Sequence, residues 1–281
     1  MSCFSMSSTR MNVSPARDHR SREKGLVVYP VYSRRSKGLS LGVNLFPSQK
    51  VCSFDCPYCE VFPFKTDFSF DVDLMETALI ENIAPDLKDV CFSGNGEPTL
   101  SPRFKVAVDR ASAVRRKYAP SAQVVVITNG TGLLRQDVFD FLIEKTREER
   151  FNLWLKIDAG TEEWFKTIDR PNPSVGFSAL ASIIREFAAR SARNAVTVQT
   201  MLCSVGDAVP DEREAAAWEQ TVLGLAGTGA IRNVHLYGKA RPSPEDPLAQ
   251  ALPLAFLEKR AASLRAALKS ARLDTPVETF E

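Results

Sequence analysis

Three cysteines fall within eight residues, Cys52-Ser-Phe-Asp-Cys56-Pro-Tyr-Cys59, and closely spaced thiolates of this kind are the usual protein ligands of an iron–sulfur cluster. Pro57 helps keep the stretch a loop, because proline cannot continue a helix. Three thiolates on a four-iron cube leave one iron without a protein ligand, and an open iron is a place for chemistry. The competing use of three cysteines is zinc, which needs a fourth ligand for a tetrahedral set. The sequence offers only His19 and His235, neither at a zinc-knuckle spacing. Cys3, Cys91 and Cys203 form no second motif. Cys91 and Cys203 stand in or beside apolar runs, where a free cysteine packs as a small hydrophobe.

The elements that must position this loop follow a regular pattern. From Leu39 onward strand-like runs alternate with amphipathic stretches, the mark of a parallel sheet covered by helices. Strands are expected at Leu41–Phe46, Asp89–Ser93, Gln123–Thr128, Asn152–Asp158, Ala195–Leu202 and Ile231–Tyr237. Helices are expected at Val72–Ile83, Arg103–Lys117, Arg135–Glu148, Gly176–Arg190, Asp211–Leu225 and Pro253–Ser270. Six β/α units fall short of a closed eight-stranded barrel, so the expected α/β fold is a partial (β/α)6 TIM-like barrel with outer helices. Chemistry in such folds gathers at the carboxyl ends of the strands. The cysteine loop follows the first expected strand, Gly94–Pro98 the second, Asn129–Gly130 the third, Asp158–Gly160 the fourth, Cys203–Gly206 the fifth and Gly238–Pro242 the sixth.

Phe92-Ser-Gly-Asn-Gly-Glu97-Pro98 combines small residues with one carboxylate, which lets backbone approach a ligand while Glu97 brings charge to a strand end. Lys156 and Asp158, two apart on one strand, point the same way and either face a ligand or pair with each other. Asn129 either caps the following helix or faces the site. Lys239 and Arg241, in the loop after the last strand, either bind an anionic substrate or are merely solvated.

Cys-x3-Cys-x2-Cys with an aromatic residue before the last cysteine resembles the cluster motif of the radical S-adenosylmethionine superfamily. The resemblance implies a [4Fe–4S] cluster on Cys52, Cys56 and Cys59. It also implies S-adenosyl-L-methionine chelated at the unique iron, and reductive cleavage to methionine and a 5′-deoxyadenosyl radical that abstracts hydrogen from a substrate. An external electron donor is implied as well. Gly94-Asn-Gly-Glu-Pro98 resembles the family's Gly-Gly-Glu-Pro motif, which implies that Gly94, Gly96 and Glu97 meet the methionyl amino group, although Asn95 separates the glycines here. The same resemblance suggests Asn129, Lys156, Asp158 and Gln199 as contacts to the ribose or carboxylate. Tyr58 either presents its backbone to the adenine while its ring shields the cluster, or simply packs. The rivals are an iron–sulfur electron-transfer or redox-sensing protein, and a zinc-dependent nucleic-acid-binding module.

Tyr32-Ser-Arg-Arg-Ser-Lys-Gly-Leu-Ser-Leu-Gly-Val-Asn-Leu-Phe-Pro, Gly-Asn-Gly-Glu-Pro-Thr-Leu and Arg-Pro-Ser-Pro are similar to a branch of Fe–S oxidoreductases related to wyosine synthetase. That likeness runs from about Val28 to Leu268. Wyosine synthetases carry a second cluster with its own N-terminal cysteines, and only Cys3 stands upstream of Cys52, so the tRNA reaction is not implied.

A chain of 281 residues, 44% hydrophobic and 25% charged, is long enough for one large α/β domain. Residues 28–281 are read as that single radical S-adenosylmethionine domain and residues 1–27 as a flexible basic tail. The net charge of +2 implies no polyanionic partner by itself. RNA is conceivable through the basic N-terminal segment, with Arg34, Arg35 and Lys37 as the residues to test, but no aromatic-rich RNA-binding module accompanies it. No apolar run approaches the ~18 residues of a membrane span. Clustered cysteines suit a reducing compartment better than a disulfide framework, so a cytoplasmic protein with no membrane partner is expected.

Overall fold

The six expected strands all form, and three further ones frame them. A computed structural model describes residues 26–61, 63–241, 243 and 246–280. In chain order the strands are β1 (Val28–Ser33), β2 (Gly38–Val43), β3 (Asp89–Phe92), β4 (Gln123–Thr128), β5 (Phe151–Lys156), β6 (Val196–Val205), β7 (Ile231–Gly238), β8 (Ala249–Ala251) and β9 (Val277–Phe280). They make one sheet in the order β1-β2-β3-β4-β5-β6-β7-β9, with β8 added antiparallel to β6. Strands β2 to β7 are parallel, β9 runs parallel to β7, and β1 lies antiparallel to β2. The result is a curled, mostly parallel half-barrel whose edges are β1 and β9.

β1, β8 and β9 are not among the expected strands. Pro30 in the middle of β1 argues against a strand, because proline has no ladder donor, and it is tolerated here because β1 is an edge. The first expected strand, Leu41–Phe46, starts and ends three residues earlier as β2. The side chain of Asn44 accepts from the Phe46 N–H at 3.0 Å and turns the chain out of the sheet. Of the two tail residues that are described, Val27 belongs to the fold: it is buried and its carbonyl accepts from the Asn44 N–H at 2.8 Å. The other tail residues, with Cys3 and His19, lie outside the described residues.

The helices are α1 (Val72–Asn82), α2 (Phe104–Tyr118), α3 (Gln136–Thr146), α4 (Glu162–Ile168), α5 (Phe177–Arg190), α6 (Glu212–Ala226) and α7 (Leu254–Ser270). Side chains of Asp71, Thr161 and Asp211 accept from backbone N–H groups in the first turns of α1, α4 and α6, satisfying donors that a helix start leaves unpaired. The sequence pattern does not reveal α4, because its seven residues are too few for a helical period to stand out.

Alternation along each strand gives the sheet two faces. Val90, Phe92, Val124, Val126, Leu153, Leu155, Val198 and Leu236 join one large apolar core together with Met75, Phe104, Phe139 and Phe187 from the helices. Each such aromatic or leucine side chain contributes roughly 1.5–3 kcal/mol on burial. On the inner face Cys91, Val125 and Trp154 form a small separate cluster with Ile127. Beside it stand Lys156, Gln199 and His235, aligned across β5, β6 and β7. The outer face is therefore a sealed core, and the inner face is a mixed apolar and polar wall.

Candidate cofactor site

The cysteine loop is stitched to the fold along both of its sides. On one side the Val51 N–H donates to the Asn95 carbonyl at 3.0 Å and the Glu97 N–H donates to the Val51 carbonyl at 2.8 Å. On the other, the Asp55 N–H donates to the Asp169 carbonyl at 3.1 Å and the Asn172 N–H to the Ser53 carbonyl at 2.8 Å. Beneath it Phe54 is buried edge-on against Phe165 of α4, with ring centroids 5.4 Å apart. All three cysteines face one cavity of about 290 Å³, shared with Gly94, Gly96, Glu97, Asn129 and Lys156.

Both glycines are needed by the protein's own backbone. Gly96 has φ +149°, and a Cβ there would stand 1.8 Å from the Val51 carbonyl oxygen. A Cβ at Gly94 would crowd Asn44, whose Oδ1 would be 2.9 Å away. Asn95, which interrupts the glycine pair, is buried, and its Nδ2 donates to the Phe46 carbonyl at 3.2 Å. The extra amide thus fixes the chain as it leaves β2.

Two of the three thiols are supplied with donors. The Cys52 Sγ accepts from the Phe54 N–H at 3.5 Å and lies 3.8 Å from the Asn129 Nδ2; the Cys59 Sγ accepts from the Val61 N–H at 3.4 Å. Cys56 lies against Asp169, with its Sγ 3.6 Å from the carbonyl and 3.8 Å from Oδ1. Burial first, and the Asp169 charge second, push the Cys56 thiol well above its ordinary range. Soft sulfur ligands facing one cavity, with N–H groups directed at two of them, suit an iron–sulfur cluster. Among the described residues, no three or more His, Cys, Asp or Glu side chains are set around a single metal ion, which is what a zinc site needs and a multi-iron cluster does not. His235, the histidine available to a zinc reading, sits on β7 with Gln199 and Asn233 as its hydrogen-bond neighbours, not with the cysteines.

Glu97 is 3% exposed, and its carboxylate is fully engaged. Oε1 accepts from the Thr99 N–H at 3.2 Å, the Thr99 hydroxyl at 2.6 Å and the Thr128 hydroxyl at 2.7 Å, while Oε2 accepts from the Asn129 N–H at 2.7 Å. Burial raises its pKa, and these bonds oppose the rise. The carboxylate thus ties the end of β3 to the end of β4. Asn129 does two jobs: its Oδ1 accepts from the Thr131 N–H at 3.0 Å, and its Nδ2 donates to the Ser53 hydroxyl at 3.0 Å.

Lys156 and Asp158 form an ion pair of 2.8 Å. Two tyrosines close it: the Tyr58 hydroxyl donates to Asp158 Oδ2, and the Lys156 Nζ donates to the Tyr237 hydroxyl, each at 2.5 Å. The Lys156 ammonium also stands 4.9 Å from the Tyr58 ring centroid. Burial opposes its charge, but Asp158 and Tyr237 more than compensate, so its pKa is raised. Asp169, buried beside Asp158 and Cys56, is pushed well above the usual carboxylate range by burial first and Asp158 second.

Gln199 does not line the cysteine cavity. It is fully buried one layer beneath, where Oε1 accepts from Arg35 Nη1 at 2.7 Å and Nε2 lies 3.4 Å from His235 Nδ1. Of the three basic residues named for RNA, Arg35 points inward, while Arg34 and Lys37 are exposed, Lys37 in an ion pair with Glu278 at 2.5 Å. Arg241 pairs with Glu60 at 2.8 Å, and the Lys239 Nζ donates to the Arg241 carbonyl at 2.9 Å. Asp169, Trp154 and the inward turn of Arg35 escape sequence reasoning. No short motif marks them, and only Pro171 signals that a helix has just ended before the segment that clasps the cysteines.

The model of the Radical SAM superfamily matches residues 46–205. A protein named GTPase Obg from Brachyspira hyodysenteriae is 30% identical over 169 residues, 56% of this chain and 22% of that protein. A UPF0026 protein of Helicobacter pylori is 26% identical over 153 residues, 52% of this chain and 46% of that one. The chain thus spans less than half the length of these curated relatives. Among solved structures, a radical SAM methyltransferase from Sphaerobacter thermophilus matches with TM-score 0.62 at 16% identity, covering 90% of this chain and 69% of that one. Streptococcus suis SuiB bound to S-adenosylmethionine matches with TM-score 0.61 at 10% identity, covering 82% and 48%. At these identities the structural matches speak for the half-barrel fold.

Proposed function

Because the chain belongs to the Radical SAM superfamily, we propose that Cys52, Cys56 and Cys59 hold a [4Fe–4S] cluster beside a bound S-adenosylmethionine. Together the two groups supply reductive cleavage to a 5′-deoxyadenosyl radical for use on a substrate. The observation that carries this reading is the cavity itself: three thiols face it, two of them met by backbone N–H donors, on a loop stitched by two backbone hydrogen bonds to the Gly94–Pro98 turn.

The backbone of Gly94 and Gly96 is assigned to the methionyl end. Glu97 sets the turn and the Asn129 N–H, and through them the methionyl amino group. Asn129, Lys156 and Asp158 are assigned to the remainder of the cofactor, with Tyr58 orienting Asp158. Gln199 acts from beneath by holding Arg35. Packing around Phe54 and Tyr58 limits water at the inner side of the loop. The Tyr32–Pro47 and Gly94–Leu100 runs support placement in the branch related to wyosine synthetase, without its substrate. Residues 28–281 form one domain on this reading, served by an external electron donor. Clustered cysteines used as cluster ligands suit a reducing, cytoplasmic setting better than a disulfide framework does.

The test is anaerobic reconstitution with iron and sulfide, then dithionite and S-adenosylmethionine, with an assay for 5′-deoxyadenosine. Wild type is expected to form it, and a variant with all three loop cysteines changed to alanine is expected to form none and to hold no cluster. Bound zinc without sulfide in the wild type would overturn the proposal.

A further inference from the structure

The inner face of the half-barrel carries a second space of about 170 Å³ next to the cysteine cavity. The two share eight wall residues, among them Arg35, Tyr58, Tyr237 and the Glu60–Arg241 ion pair. Toward solvent the second space opens between the edge strands, beside Tyr32, which is 61% exposed. Two features of its wall call for a ligand. The first is Trp154, only 5% exposed, whose indole N–H has no hydrogen-bond acceptor. Buried donors of this kind are nearly always paired.

The second is Arg35. Its guanidinium is turned in from the β1–β2 connection and lies 4.7 Å from the Tyr237 ring centroid and 5.5 Å from that of Trp154. It donates one hydrogen bond, to Gln199, and no carboxylate of the described residues lies within ion-pair reach of it. Of the other cations nearby, Lys156 pairs with Asp158, Arg241 with Glu60, and Lys239 donates to the Arg241 carbonyl, while Arg34 also lines the space. Asp89, deeper in the barrel, bonds to the Ser40 hydroxyl at 2.5 Å. With aromatic rings over the guanidinium, its edge N–H groups are what remains to offer, and those match a two-oxygen acceptor.

We propose that this inner space is the substrate pocket and that it takes an oxyanion, a carboxylate or a phosphate, held by Arg35 and the Trp154 indole N–H. The assignment rests on the reading that the adjoining cavity generates the radical. The space is smaller than the ~300 Å³ lower end of ordinary ligand pockets. It therefore admits the acidic end of a molecule whose remainder extends past Tyr32.

The experiment titrates the reconstituted full chain with inorganic phosphate, acetate and neutral acetamide, reading the thermal midpoint and tryptophan fluorescence. One of the anions is expected to raise the midpoint of wild type while acetamide does not, and which anion acts separates a phosphate ligand from a carboxylate. Arg35→Gln is expected to weaken anion binding about tenfold or more, the loss of a charge-assisted pair. Arg35→Lys keeps part of the affinity, and Trp154→Phe loses a smaller factor. Should Arg35→Gln fail to fold, Trp154→Phe decides. Wild type indifferent to both anions, or Arg35→Gln or a folded Trp154→Phe binding them as wild type does, overturns the proposal. Iron content and 5′-deoxyadenosine formation are measured on the same samples. If those fail while anion binding holds, the radical reading falls; if they hold while binding fails, only the pocket assignment falls.

Discussion

Replacing Gly96 with alanine puts the attachment of the cysteine loop to a direct test. The new Cβ would stand 1.8 Å from the Val51 oxygen and 2.6 Å from its carbonyl carbon, where real Cβ contacts stay beyond 3.0 Å. Val51 must retreat by about an ångström or more, which breaks the bonds of 3.0 and 2.8 Å that tie it to Asn95 and Glu97. Two such bonds account for about 1–3 kcal/mol, and holding alanine at φ +149° adds roughly 1–3 kcal/mol. The sum is about 2–6 kcal/mol, a midpoint fall of roughly 5–20 °C for a domain of this class. Thermal unfolding by circular dichroism and iron per chain after reconstitution are the two readouts. If the loop detaches locally instead of destabilising the whole chain, the midpoint holds and iron loading falls. Gly224→Ala is the control: it lies exposed in α6 with nothing within 4 Å of the added methyl, and gains about 1 kcal/mol from helix propensity. A Gly96→Ala protein with both wild-type midpoint and wild-type iron would refute the reasoning.

Two further perturbations address the interior. In Glu97→Gln an amide NH₂ must face either the Asn129 N–H or the donors on Oε1, leaving a buried donor unpaired at a cost of about 1–3 kcal/mol, partly offset because a carboxylate is no longer buried. S-adenosylmethionine binding is expected to weaken while iron is retained, and equal affinity in equilibrium binding would remove Glu97 from that role. His235 is pulled from 6.5 to about 4 by burial first and the Arg35 charge second, against the opposing pull of Glu278. A base whose folded pKa is depressed contributes stability that is present above its unfolded pKa and lost as pH falls toward the folded one. The wild-type midpoint should therefore decline more steeply than that of His235→Gln between pH 6.5 and 4. Parallel curves would count against it.

The parallel strands and their long helices are legible because β-branched runs such as Val124–Val126 and amphipathic stretches such as Phe177–Arg190 announce their periods locally. The cysteine loop and the glycine turn are legible because their chemistry depends on residue type and spacing. What does not show is the pairing of distant segments. Nothing local in Asp169-Arg-Pro-Asn says that it clasps Ser53 and Asp55, and nothing in Tyr32–Lys37 says that the first arginine pair splits, one side chain turning inward onto Gln199. The Gly-Asn-Gly turn is read in sequence as backbone left free to approach a ligand. In three dimensions the places that side chains would take on both glycines are also occupied, by Val51 and Asn44, a packing demand that only the folded neighbour reveals.

The clasp between Ser53–Asp55 and Asp169–Asn172 also sets an order of events during synthesis. The three thiols leave the ribosome well before β3, β4, β5 and α4 exist, and until that later stretch has folded one side of their loop has no partner. A nascent chain therefore displays three unprotected thiols for the whole interval in which a third of the sheet, β3 to β5, is being made. Iron delivery belongs after that interval, and exposure to oxygen is most damaging within it.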